Sequence, residues 1–380
     1  MRRRAFLRAA CACGAAVLPA LARAQEWQFP PRFTRPDTAS DEGGLWALMD
    51  REETRLRRSP FSLRDAKLRT YIQDIACRLG GSHCPDIRVH LMRTPWFNAS
   101  MAPNGMMQVW SGLMLRVDNE AQLAAVLGHE IGHYLARHSV ERLRDAKSRA
   151  AFSQLLVLVG PIGMIGQAGV VAGMFAYSRD HEREADRIGA ILMSKSGYDV
   201  SEAAKVWGNL LLEIKARPDG APESVLFATH PGVEERQSTL AELGQTYPGG
   251  DANQKTWQEM VAPFLREWLA DEVRRGQHEE SIALLTRGLG RGVQQSEYLF
   301  ARGEVYRLRA KEGDLDLSLA DLKAAAAAGG EPPQTHRSLG LVHRARNELP
   351  AAKASFQRYL ELDPQAPDAS MIKIYLEEST

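Results

Sequence analysis

Asn119-Glu120-Ala121-Gln122-Leu123-Ala124-Ala125-Val126-Leu127-Gly128-His129-Glu130-Ile131-Gly132-His133 is the stretch on which the reading of this chain turns. Its apolar residues recur at helical spacing behind Asn119, a residue type that caps helix N-termini, so a helix is predicted from Asn119 past His133. Residues four apart on a helix share a face about one turn apart, so the imidazoles of His129 and His133 can hold a single metal ion. Glu130, beside the first imidazole, can reach a water in an open coordination position. Zinc in such a site lowers the pKa of water to about 7 and polarises a carbonyl, while the Glu carries a proton from water to the leaving amine. The pattern predicts metal-assisted peptide-bond hydrolysis with Glu130 as general base.

A catalytic zinc needs a third protein ligand. One solution is a His six residues after the second, with a Gly between; those positions are Ser139 and Ala136, which excludes it. His138 lies five residues after His133, turned from the metal face of a continuous helix, and reads as a surface residue. The remaining solution is a carboxylate from another helix. Ser178-Arg179-Asp180-His181-Glu182-Arg183-Glu184-Ala185-Asp186 opens a predicted helix that runs to about Lys195 and stops at Gly197. Glu182 and Asp186 are four apart and share a face, so one can bind the metal while the other accepts the second ring N–H of a ligand His. Glu184 points about 200° away from Glu182 and reads as solvated. Glu182 is therefore the expected third ligand, with Glu184 and His181 as the alternatives.

Further out, helical periodicity spans Leu45 to Arg57 and Ala66 to Leu79. Strands are predicted at Asp86 to Met92, from the alternation of Ile87, Val89 and Leu91, and at Met106 to Trp110 after the turn-like Pro103-Asn104-Gly105. Between the two ligand helices, Ala150 to Ser178 holds no charged residue. A single membrane span there would put His133 and Glu182 on opposite sides of a bilayer, and Gly160-Pro161 splits the stretch into halves too short to cross. A hairpin over 150–178 is expected, as a lid on the groove or in contact with a membrane surface, with a plain core hairpin as the alternative.

From about Pro263 the chain repeats. His336, Leu339, Gly340, His343, Ala352, Phe356 and Pro364 follow tetratricopeptide spacing, and Leu269, Gly303 and Gly340 are 34 and 37 residues apart. An all-α, tetratricopeptide-like repeat domain is expected over 260–380, binding protein segments on a concave face; a helical cap on the preceding domain is the alternative.

Arg2, Arg3 and Arg4, an apolar stretch from Ala9 to Leu21 and Ala22-Arg23-Ala24 form a signal peptide over 1–24, with cleavage expected near Ala24. Arg3-Arg4-Ala5-Phe6-Leu7 suits twin-arginine export as well as an ordinary Sec route, and both imply a periplasmic protein. Residues 1–24 carry five Arg and no acid, which takes the remaining chain from a net charge of +1 to −4. That charge gives no electrostatic reason to bind nucleic acid. Outside the signal, Cys77 and Cys84 are the only cysteines, and in an oxidising compartment a local disulfide between them is expected.

The run Asn119 to His133, followed by Tyr177-Ser178-Arg179 and Glu182 to Asp186, resembles the HtpX, BepA and Oma branch of the prenyl-protease-like gluzincins over about residues 65 to 245. With the signal peptide and repeat tail, the architecture is similar to the periplasmic BepA-type proteases. The resemblance implies one zinc ion per chain on His129, His133 and Glu182, Glu130 as general base, Asp186 behind a ligand His, and a zincin domain over 25–250. It also picks out Thr229-His230-Pro231, followed by Arg236. His230 is expected to act as a fourth imidazole that displaces the catalytic water, or one that bonds the oxyanion when it swings aside; the alternative is a simple helix start. Asn98 to Gly105 resembles the family's Asn-Ala loop, and if Met106 to Trp110 is the sheet edge at the cleft, a substrate can add to it as an extended strand.

The expected fold is mainly α with a small β-sheet, a zincin domain followed by helical repeats. The expected activity is hydrolysis of misfolded or stalled envelope proteins, with envelope partners recruited by the repeats. A chaperone or assembly scaffold with a largely latent site is the competing reading, which Glu130 disfavours because a structural zinc has no need of a general base.

Overall fold

The computed structural model describes residues 27–145, 177–217, 230 and 232–378. The signal segment 1–24, the 150–178 stretch apart from Tyr177 and Ser178, and Thr229 and Pro231 lie outside the described residues. The architecture is mainly α with one small sheet and a helical-repeat-like C-terminal region. Among the described residues, no helix is long and apolar enough to cross a membrane.

Helix α1 (Asp41–Arg58) starts where Ser40 accepts the Gly43 N–H, and α2 (Ala66–Gly80) where Asp65 accepts the Leu68 N–H. Both are local caps that sequence can specify. Cys77, in the last turn of α2, is disulfide-bonded to Cys84. Residues Gly81–Asp86 form a 3-10 turn, so the first strand, β1 (Arg88–Met92), begins two residues later than the alternation suggested.

The sheet corrects one expectation. Strands β2 (Ala99–Met101) and β3 (Met106–Trp110) complete it in the order β1-β3-β2, so β3 is central and is not the edge. Arg88 pairs with Met106 in the parallel β1–β3 ladder, and Ala99 with Val109 in the antiparallel β2–β3 ladder. The physical reason is the turn at 102–105, closed by Gly105 N–H to Ala102 O at 2.9 Å and Ala102 N–H to Met106 O at 2.8 Å. It folds residues 99–101 back onto β3 and gives them the edge position.

After β3 come α3 (Ser111–Arg116), α4 (Glu120–Leu135) and α5 (His138–Asp145), then α6 (Arg179–Lys195), α7 (Ser201–Lys215) and α8 (Val233–Thr246). The remaining helices are α9 (Gln254–Val261), α10 (Leu265–Arg274), α11 (His278–Leu289), α12 (Gln295–Arg309), α13 (Asp314–Ala328), α14 (Gln334–Ala345), α15 (Leu349–Leu362) and α16 (Ala369–Glu378). Two glycines of this region sit at close helix contacts. The ring of Phe356 on α15 lies over Gly340 on α14, and Leu322 on α13 lies over Gly303 on α12, so close that a Cβ on either glycine would collide.

The core crosses the 250–260 division. Trp257, Leu265, Trp268, Leu284, Tyr298 and Val305 belong to the same apolar cluster as the residues of α2 to α7, whereas α13 to α16 rest on separate smaller clusters. Buried Arg116 fastens the junction by pairing with Glu213 of α7 at 2.7 Å and Glu272 of α10 at 3.0 Å.

At the other side of the sheet, buried Glu53 ties α1 to β1. It accepts from Arg88 Nη2 at 2.7 Å and Arg57 Nη2 at 2.6 Å, and lies 2.9 Å from His90 Nε2. Burial alone would raise this carboxyl, but the Arg88, Arg57 and His90 hydrogen bonds override it and hold the pKa at about 2. A depressed carboxylate contributes stability above its unfolded pKa of 4.5 and loses it as pH falls toward about 2. Glu53→Gln is therefore expected to lower the melting temperature at pH 7 and to flatten its decline across that acid window, as read by thermal melts; parallel wild-type and variant curves would contradict this.

Candidate metal centre

Helix α4 is buried along its entire length, with Asn119 capping it by accepting the Gln122 N–H at 2.9 Å. It crosses α6, which Ser178 caps through the His181 N–H. The crossing is set by glycine. A Cβ at Gly132 would lie 2.8 Å from the Ala185 carbonyl oxygen, and one at Gly189 would lie 3.0 Å from the His129 backbone nitrogen. Two backbones in contact let side chains from both helices meet at one point.

His129, His133, Glu182 and His230 meet there, all buried. His129 Nε2 lies 3.0 Å from His133 Nε2, 3.5 Å from Glu182 Oε2 and 3.3 Å from His230 Nδ1. His133 Nε2 is 3.3 Å, and His230 Nδ1 3.1 Å, from Glu182 Oε1. Ligand atoms arranged tetrahedrally about zinc, each about 2.0–2.1 Å from it, are about 3.3–3.4 Å apart. The separations and the nitrogen and oxygen donors fit that ion.

The groups around the cluster neutralise it and orient it. His129 Nδ1 is 2.8 Å from Asp186 Oδ1, so the ring turns Nε2 inward. Arg236 of α8 lies between the two carboxylates, 2.9 Å from Glu182 and 2.6 Å from Asp186, with its guanidinium 4.0 Å above the Trp207 ring of α7. Tyr177 stacks on His133 with ring centroids 3.8 Å apart. Glu182 is opposed by burial, yet the neighbouring His230, His133 and His129 hold it well below the usual carboxylate range. Glu130 is buried 3.6 Å from His230 Nε2, and burial raises its carboxyl above the ordinary value.

One sequence expectation fails here. His138 is not a surface residue: it is 1% exposed, with Nδ1 2.8 Å from His133 Nδ1. One continuous helix would turn His138 away, but α4 ends at Leu135, Arg137 turns left-handed at φ 60°, and α5 restarts at His138. Glu184 is exposed, as its position on the helix implies, and its Oε2 is 3.3 Å from His138 Nε2. Glu184 and His181, the alternative third ligands, both stand outside the cluster. Trp207 carried no sequence signal at all, because an aromatic on an amphipathic helix reads as core. Tyr177 and Arg236 were visible only through family resemblance.

Residues 62–243 match Peptidase family M48, a span that contains every group of this centre. Over that span the chain is similar to the family. M48 metallopeptidases are zinc-dependent in general. The chain is 28% identical over 255 residues to the putative beta-barrel assembly-enhancing protease of Vibrio cholerae, covering 63% of this chain and 52% of that protein. It is 31% identical over 225 residues to the beta-barrel assembly-enhancing protease of Escherichia coli K12, covering 53% and 45%. The mitochondrial metalloendopeptidase OMA1 of Schizosaccharomyces pombe is 31% identical over 178 residues, covering 44% and 51%. The chain thus spans about half the length of these curated relatives.

If the glycine crossing sets the centre, Gly132→Ala is expected to destabilise the fold by about 1–3 kcal/mol and to weaken zinc binding, because a methyl group there meets backbone that has no room to yield. Thermal melts and chelator competition check both, and wild-type values in the two assays would show that the crossing has slack.

Proposed function

We propose that this chain is an exported zinc metalloendopeptidase that cleaves misfolded or stalled envelope proteins, including those bound for the outer membrane. The observation that carries the reading is the convergence of His129, His133 and Glu182 with a buried Glu130 beside them. In this reading the three ligands hold one zinc ion per chain, which supplies Lewis-acid polarisation of the scissile carbonyl and acidifies water. Glu130 takes the proton from the attacking water and delivers it to the leaving amine nitrogen. Asp186 holds the Nδ1 proton of His129 and so keeps its Nε2 lone pair on the metal side. The edge strand β2 offers backbone groups with which an extended substrate pairs, which gives sequence-tolerant cleavage.

His230 acts as a latch. Its Nδ1 lies at the fourth corner of the donor set, where water and carbonyl must enter, so the enzyme rests in a closed state until His230 withdraws. The same observation favours the second reading, an outer-membrane-protein chaperone or assembly scaffold whose protease is largely silent. The tail, read as tetratricopeptide-like repeats, recruits protein partners, and residues 1–24 direct export to the periplasm. The names of the bacterial relatives support a role beside β-barrel assembly.

Glu130→Gln is expected to lower casein cleavage by about 10²–10⁴-fold while the purified protein still carries zinc. Undiminished cleavage would exclude the proposed mechanism. His230→Ala is expected to raise basal casein cleavage at unchanged zinc content; if rate and metal both stay at wild-type values, His230 is not a latch.

A further inference from the structure

The second ring nitrogen of each ligand His needs a partner, and the two ligands find different ones. His129 Nδ1 meets the buried Asp186 carboxylate directly. His133 has no carboxylate behind it. Its Nδ1 faces His138 Nδ1 at 2.8 Å, and His138 Nε2 faces Glu184 Oε2 at 3.3 Å.

We propose that His138 is a positioning residue for the metal centre, the middle link of a relay from His133 to Glu184. The proposal rests on His133 binding zinc through Nε2. A neutral imidazole carries one proton, and a ligating nitrogen must present a lone pair, so the proton of His133 sits on Nδ1. Two nitrogens 2.8 Å apart share one proton, so His138 Nδ1 accepts. The proton of His138 is then on Nε2 and is donated to the Glu184 carboxylate. Both rings are 1% exposed, so bulk water does not compete for the inner link, while Glu184 ends the relay at the surface. The relay fixes the tautomer and orientation of His133 and makes its Nε2 a stronger donor to the metal.

The relay also decides what a neighbouring cluster is. His138, Glu141 and His181 bring one donor atom each within 4.8 Å of one another, an arrangement that invites a second metal ion. With Nδ1 accepting and Nε2 protonated, His138 has no lone pair left to give. The His138 and His181 rings are also stacked, with centroids 4.3 Å apart and planes 22° from parallel. A ligand lone pair lies in its ring plane, and two stacked, nearly parallel planes do not meet at a metal position. The cluster is therefore support for the first site, and not a second one.

The test is zinc affinity and stoichiometry of the full mature chain, measured by competition with a chromophoric chelator, with thermal melts of the zinc-free proteins to verify folding. Wild type is expected to bind one zinc, and His138→Ala to bind it about 10–100-fold more weakly. His138→Asn puts an amide oxygen near the position of Nδ1 and is expected to recover most of the loss. Glu184→Gln, at a half-exposed position, is expected to weaken zinc binding several-fold in the wild-type background and not at all in the His138→Asn background. A folded His138→Ala protein with wild-type affinity overturns the relay, provided His133→Ala loses zinc; if His133→Ala keeps it, the ligand assignment itself has failed. Should His138→Ala not fold, unchanged affinity in Glu184→Gln overturns the proposal. A second zinc equivalent in wild type that His181→Ala removes also overturns it, in favour of a second metal site.

Discussion

The close crossing of α4 and α6 is the constraint on which the site depends. Gly132 lies against the backbone of Ala185, and Gly189 against that of His129, so the two helices touch without intervening side chains. At a wider separation the carboxylate of Glu182 would stop short of the imidazoles. The glycine in the His-Glu pentapeptide is therefore a packing residue as much as a spacer, and its effect is felt one turn away from the chemistry.

Bringing three imidazoles, three carboxylates and a guanidinium into one dry volume is costly unless each group has a partner. The structure supplies them in layers. Arg236 bridges Glu182 and Asp186, Asp186 takes the second nitrogen of His129, and His138 with Glu184 does the equivalent for His133. Trp207 and Tyr177 close the faces of Arg236 and His133 against solvent. His230 reaches both Glu182 and Glu130, so the residue proposed to block the site is also held by the groups it blocks.

The first helices of the tail share the core of the peptidase domain. Arg116 is buried between Glu213 and Glu272, and Asp118 pairs with Arg287 and Arg291 of the tail at 2.6 Å each. Removing one partner from such a buried set leaves an uncompensated charge, so α10 and α11 are not readily separated from α3 and α7. The later helices rest on clusters of their own, apart from this junction.

What the sequence alone determined is whatever depends on one helix or one turn. Helical spacing aligned His129 with His133 and Glu182 with Asp186, a cap marked Asn119, and a seven-residue separation allowed Cys77 to reach Cys84. What only the tertiary structure decided depends on where the chain changes direction. A left-handed Arg137 brought His138 behind His133, a turn at 102–105 handed the sheet edge to residues 99–101, and packing of α7 put Trp207 over Arg236. Periodicity describes a side chain relative to its own axis, and carries no information about the angle at which the next axis leaves.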